Sequence, residues 1–154
     1  MPDEEAQARL NQCLASRRWV DVVVSGRPYR DAGHLLDTAH TGMQTLTDAD
    51  WLEAVRSHPR IGEGGGDAAA SSEREQSKAM LSPPATLAAL ADENRRYEER
   101  FGHVFLIFAS GRSGDEILAE LRRRMKNDAR TELAETRAEL AKIARLRLER
   151  LVMT

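Results

Sequence analysis

A histidine followed directly by a proline is the most unusual local pattern in this sequence of 154 residues. The pattern is Ser57-His58-Pro59-Arg60-Ile61-Gly62, and the proline ring disfavours helical geometry at His58. A helix is therefore predicted to end near Ser57. Histidine titrates near neutral pH and is the commonest general acid or base, so we interpret His58 as a candidate catalytic residue at the mouth of a pocket. The alternative is a histidine that only caps the helix or lies on the surface.

A second candidate is the segment Ser72-Glu73-Arg74-Glu75-Gln76. A serine followed three residues later by a glutamate forms a capping box, which satisfies two free backbone amides at the start of a helix. Capping alone could explain the pattern. A helix N-terminus also offers amide donors and a positive dipole to an anionic ligand, so the two roles can coexist.

The third candidate is Arg147, which interrupts an apolar stripe predicted for the last helix. The stripe has heptad and i+4 spacing and contains Leu133, Leu140, Arg147 and Leu151, with Ile143 and Ala144 beside it. Burial of a guanidinium is costly unless it meets an anion, so the placement indicates a carboxylate partner, either an internal glutamate or a bound acid. An arginine that snorkels to the surface is the alternative.

The elements that must position these residues are predicted to be helices. Apolar residues recur at helical spacing over 6–14, 19–23 and 35–43. Thr47 or Asp48 can cap a fourth helix that carries Trp51 and Val55. We interpret the glycine-rich stretch over 62–70 as a mobile surface loop. After it, one helix is predicted to start at Ser72, another to be capped by Ser82 before two prolines, and a third to start at a capping box of Ser113 and Glu116.

One apolar run, Val104 to Ala109, could form a strand by composition. No second strand-like segment exists to pair with it, so we expect it to be buried and irregular or helical. The sequence thus predicts an all-α, single-domain compact bundle over residues 1–154, with about seven to nine helices and a long last helix.

Composition argues against several classes of protein. The 23 basic and 25 acidic residues give a formal net charge of -2, so no global field attracts nucleic acid or an anionic membrane. No apolar run approaches the roughly 20 residues of a membrane span, and the N-terminal residues are acidic where a secretory signal would be basic. Cys13 is the only cysteine, which excludes an internal disulfide. We expect a cytoplasmic protein.

Metal and cofactor sites are not indicated either. The four histidines (His34, His40, His58 and His103) form no short metal-ligand motif. None of the three lysines lies in a recognisable Schiff-base motif, and the glycine-rich stretch lacks the Gly-Lys-Ser/Thr ending of a phosphate loop. We therefore expect a small-molecule partner without metal or cofactor.

Taken together, the motifs resemble the 2-oxo-4-hydroxy-4-carboxy-5-ureidoimidazoline (OHCU) decarboxylase family in order and spacing. They are His-Pro-Arg-Ile-Gly at 58–62, Ser-x-x-Glu-Gln at 72–76, Phe101-Gly102, Gly111-Arg112-Ser113, and the last-helix segment 142–148. The resemblance covers nearly the whole chain. It implies an all-α fold, commonly a homodimer, and a lyase that forms (S)-allantoin in urate degradation.

The resemblance also implies functional residues. The catalytic set falls on His58, Glu75 and Arg147, and the substrate-binding set on Pro59, Ser72, Glu73, Arg74, Glu75, Gln76, Phe105, Leu106, Ile107, Phe108, Ala109 and Arg147. The sequence departs from many relatives in having His103-Val104, where they read Phe-Pro before the buried segment.

The chemistry fits these residue types. Loss of carbon dioxide leaves electrons that the conjugated imidazolinone can accept, so the substrate provides its own electron sink and no cofactor is required. His58, oriented by Glu75, would serve as the acid-base group, and Arg147 would hold polar groups of the substrate. Two alternatives remain open: a non-catalytic helical interaction module, and a decarboxylase that acts on a related ureido acid.

Overall fold

The computed structural model describes residues 1–58 and 75–153, and within those ranges it contains helices and no strand. We number the seven α-helices of the described residues α1 (Asp3–Cys13), α2 (Arg17–Ser25), α3 (Ala32–Gln44), α4 (Asp48–Val55), α5 (Pro84–Phe101), α6 (Gly114–Arg124) and α7 (Ala129–Met153), with a 3-10 helix at Ala79–Leu81. The predicted all-α class and the long last helix are confirmed. The predicted loop over 62–70 and the helix start at Ser72 lie outside the described residues.

Contacts between Cα atoms divide the chain into two units. Unit one comprises Met1–Val55 and Ala141–Thr154, and unit two comprises Arg56–Leu140. The boundary falls within α7, after Leu140. The prediction of one domain over 1–154 stays a prediction, and each unit is described by itself.

In unit one, α1 packs on α2 and α2 packs on α3. Ser16 caps α2 by accepting a hydrogen bond from the Trp19 amide at 3.4 Å, and this cap places the indole of Trp19 in the core. The indole Nε1 donates to the Ala39 carbonyl oxygen at 2.9 Å, so its polar atom is satisfied where it is fully buried. Gly42 lets α3 pack closely on α2, since a Cβ at position 42 would lie only 3.3 Å from Val22.

The fourth helix begins and ends where the sequence predicted. The Asp50 amide donates to the Thr47 hydroxyl at 3.2 Å and the Thr47 amide donates to the Asp50 carboxylate at 2.9 Å, which is a reciprocal capping box. The bond from the Thr47 amide is the main cause of a lowered pKa for the Asp50 carboxyl. Helix α4 ends at Val55, in agreement with the predicted stop near Ser57.

In unit two, α5 begins at Pro84 and ends where Gly102 adopts a left-handed conformation with φ 81°. The prediction that Ser82 caps this helix is wrong: Pro83 is the N-cap and makes no side-chain cap bond. The Ser82 hydroxyl instead accepts from the Gly114 amide at 3.1 Å, which links the starts of α5 and α6. Ser113 caps α6 as predicted, accepting from the Glu116 amide at 3.2 Å.

The apolar run before α6 is buried and irregular, as expected. Phe105, Leu106, Ile107 and Ala109 are buried, and no helix or strand is assigned from 104 to 109. Most of these side chains join a core cluster with Tyr97 of α5 and Ile117 of α6. The backbone of this segment must therefore find its hydrogen-bond partners outside regular secondary structure.

The buried face of α7 differs from the predicted stripe at its start. Leu133 and Leu151 are partly exposed, whereas Glu132 and Thr136 are fully buried. Leu140 and Arg147 are buried as predicted. A strict heptad drifts around a straight helix of 3.6 residues per turn, so it cannot follow one face over 25 residues. Among the described residues, no helix is long and apolar enough to cross a membrane.

Candidate functional site

His58 lies in unit two, just past the end of α4, and its side chain is partly buried. This position agrees with the prediction of a histidine at a helix end. Four other predicted site residues, Pro59, Ser72, Glu73 and Arg74, lie outside the described residues.

Glu75 and Gln76 are both buried in unit two, with exposed fractions of 5% and 8%. Glutamate is seldom fully buried unless it is paired, and a glutamate that only caps a helix normally stays in contact with water. The Gln76 carbonyl oxygen accepts from the Met80 amide at 3.0 Å, which anchors the turn that leads into the 3-10 helix. The burial of Glu75 favours an interior role over a cap on the surface.

Arg147 lies in unit one and is 7% exposed, so it does not snorkel to the surface. Its Nη1 donates to the carbonyl oxygen of Gln12, on α1, at 3.1 Å. Its neighbours on α7, Ala144 and Leu148, are fully buried and apolar. A guanidinium held in such surroundings interacts with an anion more strongly than it would in water.

Hydrogen bonds between its backbone and two side chains hold the predicted binding segment 105–109 in place. The Leu106 carbonyl oxygen accepts from Arg124 Nη1 at 2.5 Å, and the Phe108 amide donates to Glu139 Oε1 at 3.1 Å. The amides of Ile107 and Ala109 make no hydrogen bond within the described part of the chain. Because buried amides normally have partners, these two are candidate donors to a bound acceptor.

Just before this segment stands the His103-Val104 pair, where the sequence departs from many relatives of the family it resembles. The His103 ring packs edge-on against Tyr97, with 5.7 Å between ring centroids, and its Nδ1 lies 3.0 Å from the Val104 carbonyl oxygen. The histidine thus forms part of the aromatic packing around Tyr97.

A buried ion pair supports the segment. Arg124, 1% exposed at the end of α6, forms a fork with Glu132: Nε lies 2.9 Å and Nη2 lies 2.6 Å from Oε2. Nη2 also donates to the Thr136 hydroxyl at 3.1 Å, and the guanidinium carbon lies 4.5 Å from the centre of the Phe105 ring. The Tyr97 hydroxyl completes the network by donating to Glu132.

Burial and hydrogen bonding shift the pKa values of two members of the network, Arg124 and Tyr97. Burial is the largest influence on the pKa of Arg124 and lowers it, but the hydrogen bonds and charge of Glu132 outweigh burial and leave that pKa raised. Burial, followed by the bond to Glu132, raises the pKa of the Tyr97 hydroxyl well above its ordinary value of 10.0. Both shifts are upward from values already far above neutral, so Arg124 and Tyr97 keep their charge states near pH 7 and are suited to holding structure.

Sequence reasoning missed this network, although local signals for it exist. Arg124 continues the buried face of α6 that carries Ile117 and Leu121. Glu132 and Thr136 precede Leu140 at i+4 spacing on α7. A charge on an apolar face of each of two consecutive helices indicates a buried pair.

Unit one also contains a cavity of about 270 Å³ between α3 and α7. None of the predicted site residues lines it. Its walls are mostly apolar and consist of Leu36, Ala39, His40, Met43, Ala141, Lys142, Arg145 and Leu148. Within the described residues, no group of three or more histidine, cysteine or acidic side chains is arranged to hold a metal ion.

The fold places the chain in a class of small all-α proteins. It superimposes with a TM-score of 0.84 on the crystal structure of an OHCU decarboxylase determined in the presence of (S)-allantoin, with 29% sequence identity and full coverage of both chains. The sequence profile of the OHCU decarboxylase family matches residues 1–149. The chain belongs to the OHCU decarboxylase family.

Two relatives agree with this assignment. The chain is 40% identical over 145 residues to the uric acid degradation bifunctional protein TTL of Arabidopsis thaliana, a match that covers 90% of this chain and 45% of the plant protein. It is 30% identical over 129 residues to the 2-oxo-4-hydroxy-4-carboxy-5-ureidoimidazoline decarboxylase of Haloferax volcanii, covering 80% of this chain and 74% of that protein. The chain thus spans less than half the length of the bifunctional plant relative.

Proposed function

We propose that this chain is a carboxy-lyase that converts 2-oxo-4-hydroxy-4-carboxy-5-ureidoimidazoline to (S)-allantoin in urate degradation. The observation that carries the proposal is the match of the decarboxylase family profile over residues 1–149. The likeness of the whole fold to an enzyme crystallised with (S)-allantoin supports the same product.

The reaction needs little from the protein beyond orientation and one proton. The bond between the ring carbon and the carboxylate breaks, carbon dioxide leaves, and the electron pair moves into the conjugated imidazolinone. The ring nitrogen that receives the electron pair gains a proton, and the hydroxyl on the decarboxylated carbon becomes a carbonyl as its own proton leaves. A proton adds to the neighbouring, ureido-bearing ring carbon from one face, which gives one enantiomer. Because the substrate accepts the electrons itself, we propose that the reaction proceeds without a cofactor.

We assign the roles residue by residue. His58 is the acid-base group, because it stands at a helix end and histidine is the side chain most often used as a general acid or base near neutral pH. Glu75, buried in the same unit, orients His58. Arg147 binds an anionic group of the substrate, which suits a buried guanidinium among apolar neighbours.

Backbone donors complete the proposed binding groups. The amides of Ile107 and Ala109, which make no hydrogen bond within the described residues, would donate to the carbonyl or ureido oxygens of the substrate. The side chains around them are buried and apolar, and such surroundings strengthen hydrogen bonds to a polar ligand. On the family resemblance we further propose a homodimer and a cytoplasmic location, with no nucleic-acid or membrane partner.

The decisive experiment generates the unstable substrate in situ from urate with the two preceding enzymes and follows the circular dichroism of allantoin. Uncatalysed decay gives a racemate. We expect this protein to produce an excess of (S)-allantoin at a rate that increases with its concentration. A racemate formed at the uncatalysed rate would contradict the proposal. Related ureido acids are tested in parallel, and turnover of one of them in place of the urate-derived substrate would indicate a decarboxylase with a different substrate.

The assignment of His58 is tested with His58→Asn, which keeps a polar side chain but has no group that titrates near neutral pH. We expect the variant to lose stereospecific turnover while its helical circular dichroism is unchanged. The matched control is His40→Asn, since His40 is an exposed histidine on α3 outside the proposed machinery. Retained turnover in His58→Asn would show that His58 is not the acid-base group.

A further inference from the structure

We propose that the buried Arg124–Glu132 pair is a positioning device that sets the conformation of the binding segment 105–109 and so controls substrate affinity without touching the substrate. This inference rests on the proposed function, in which amides of the segment bind the substrate. The evidence for positioning itself comes from contacts inside unit two.

The guanidinium of Arg124 connects helices to the irregular backbone. Two of its nitrogens bind Glu132 and one also binds Thr136, so α7 fixes its orientation. The remaining terminal nitrogen, Nη1, donates to the Leu106 carbonyl oxygen at 2.5 Å. Because a guanidinium is planar, holding one edge on Glu132 fixes the direction in which Nη1 points. The Leu106 carbonyl is thereby held in a defined direction.

A second anchor lies two residues further along the segment. The Phe108 amide donates to Glu139, which belongs to the same helix as Glu132. The backbone is therefore held on both sides of Ile107. The Ile107 amide, which makes no hydrogen bond within the described residues, lies between the anchored Leu106 carbonyl and the anchored Phe108 amide. Two anchors around one available donor are what a preorganised backbone site requires.

Stability alone does not account for an ion pair at this position. Replacement of a buried ion pair by apolar side chains of similar volume is often neutral or stabilising, since the desolvation of two charges offsets their attraction. Apolar side chains could fill the same space but could not bind the Leu106 carbonyl. The chemical property specific to Arg124 is thus a rigid N–H donor aimed at the backbone.

The test replaces both charges at once, with Arg124→Met and Glu132→Leu in one variant. We expect a folded protein whose KM rises about tenfold or more, with a smaller change in kcat, because the loss affects ground-state and transition-state binding alike. The matched control is Arg122→Met with Glu93→Leu, which removes a partly exposed ion pair that joins the same helix to α5 and whose side chains hydrogen-bond to each other and not to the segment. Wild-type KM and kcat in a folded Arg124/Glu132 variant would overturn the proposal.

The second anchor, the bond from the Phe108 amide to Glu139, can be removed without a change to the buried pair. Glu139→Ala removes the acceptor of the Phe108 amide, whereas Glu139→Gln retains an acceptor oxygen. We expect Glu139→Ala to raise KM several-fold and Glu139→Gln to restore most of the wild-type value. An unchanged KM in a folded Glu139→Ala variant would equally contradict the proposal.

A measurement without substrate separates this proposal from the proposed function. Backbone amide exchange over 105–109 should be faster in Glu139→Ala and in the Arg124/Glu132 variant than in the wild type and the Arg122/Glu93 control. If the wild type makes no (S)-allantoin, the proposed function fails, and the exchange rates still decide whether the pair positions the segment. Equal exchange in all four proteins would show that it does not.

Discussion

At the scale of single residues, Arg147 shows how a position outside the expected pattern can be informative. A guanidinium on an apolar face is either exposed through its long side chain or held by acceptors. The structure shows a buried side chain that donates to the Gln12 carbonyl oxygen. This contact orients the buried guanidinium of Arg147, whose proposed role is to bind an anionic group of the substrate.

Replacement of Arg147 by alanine should weaken substrate binding. A hydrogen bond to a charged group contributes about 1.5–3 kcal/mol, so we expect KM to rise roughly tenfold to a hundredfold. Steady-state kinetics with the coupled urate system measures this rise, and thermal unfolding checks that the protein is folded. Arg145→Ala is the control, because Arg145 is exposed on the same helix and pairs with Glu149. A wild-type KM in Arg147→Ala would exclude Arg147 from substrate binding.

At the scale of helices, the starts of α5 and α6 are joined through a glycine. The Gly114 amide donates to the Ser82 hydroxyl, and a Cβ built on Gly114 would lie 2.1 Å from that oxygen and 2.8 Å from the Ser82 Cβ. Rotation of the hydroxyl relieves the first overlap and not the second. The close approach therefore requires a residue without a side chain at the first position of α6.

Gly114→Ala should accordingly destabilise the protein, by about 1–3 kcal/mol as for other overpacked sites. Gly33→Ala provides the contrast, since a Cβ on Gly33 would meet only the Asp31 carboxylate at 3.4 Å, in the first turn of α3. That change should be neutral or stabilising by up to about 1 kcal/mol, because alanine favours the helix. Urea unfolding measures both differences. Equal stability of the two variants would show that the contact with Ser82 does not restrict position 114.

At the scale of the whole molecule, many charges are paired at the surface. Hydrogen bonds from Arg123 are the main cause of the lowered pKa of the Glu135 carboxyl, and the Thr131 amide is the main cause for the Asp128 carboxyl. A carboxyl whose pKa is lower in the folded state binds protons more readily when unfolded. Its contribution to stability is present above the unfolded pKa and is lost as the pH falls through the folded value.

The stabilisation from these two carboxyls should therefore be fully present at neutral pH and should be lost in acid, below the ordinary values of 4.5 for Glu135 and 3.8 for Asp128. The thermal midpoint measured against pH tests this direction. Glu135→Gln removes one of the carboxyls responsible. The thermal midpoint of this variant should be lower than that of the wild type at pH 7, and the two midpoints should converge near pH 3. A constant difference between the two proteins across that range would show that Glu135 does not contribute to the acid dependence.

The sequence by itself determined the helical class, a cap at Thr47 or Asp48, the helix end near Ser57 and the burial of 105–109. These features depend on residues within a few positions of one another, so propensity, capping and periodicity report them directly. The motifs were sufficient to indicate the family, and of the predicted site residues the structure places His58, Glu75, Gln76, Arg147 and the segment 105–109. It leaves Pro59, Ser72, Glu73 and Arg74 outside its described residues.

Only the tertiary structure decided which distant groups meet. Ser82 caps no helix because its hydroxyl is bound by Gly114, 32 residues away, and Arg124 reaches the Leu106 carbonyl across 18 residues. Contacts of this kind leave no periodic trace in the sequence, since they depend on how helices pack and not on the spacing within one helix. The burial of Glu75 has the same origin. A capping box looks identical in solvent and in an interior, and only the surrounding fold distinguishes the two.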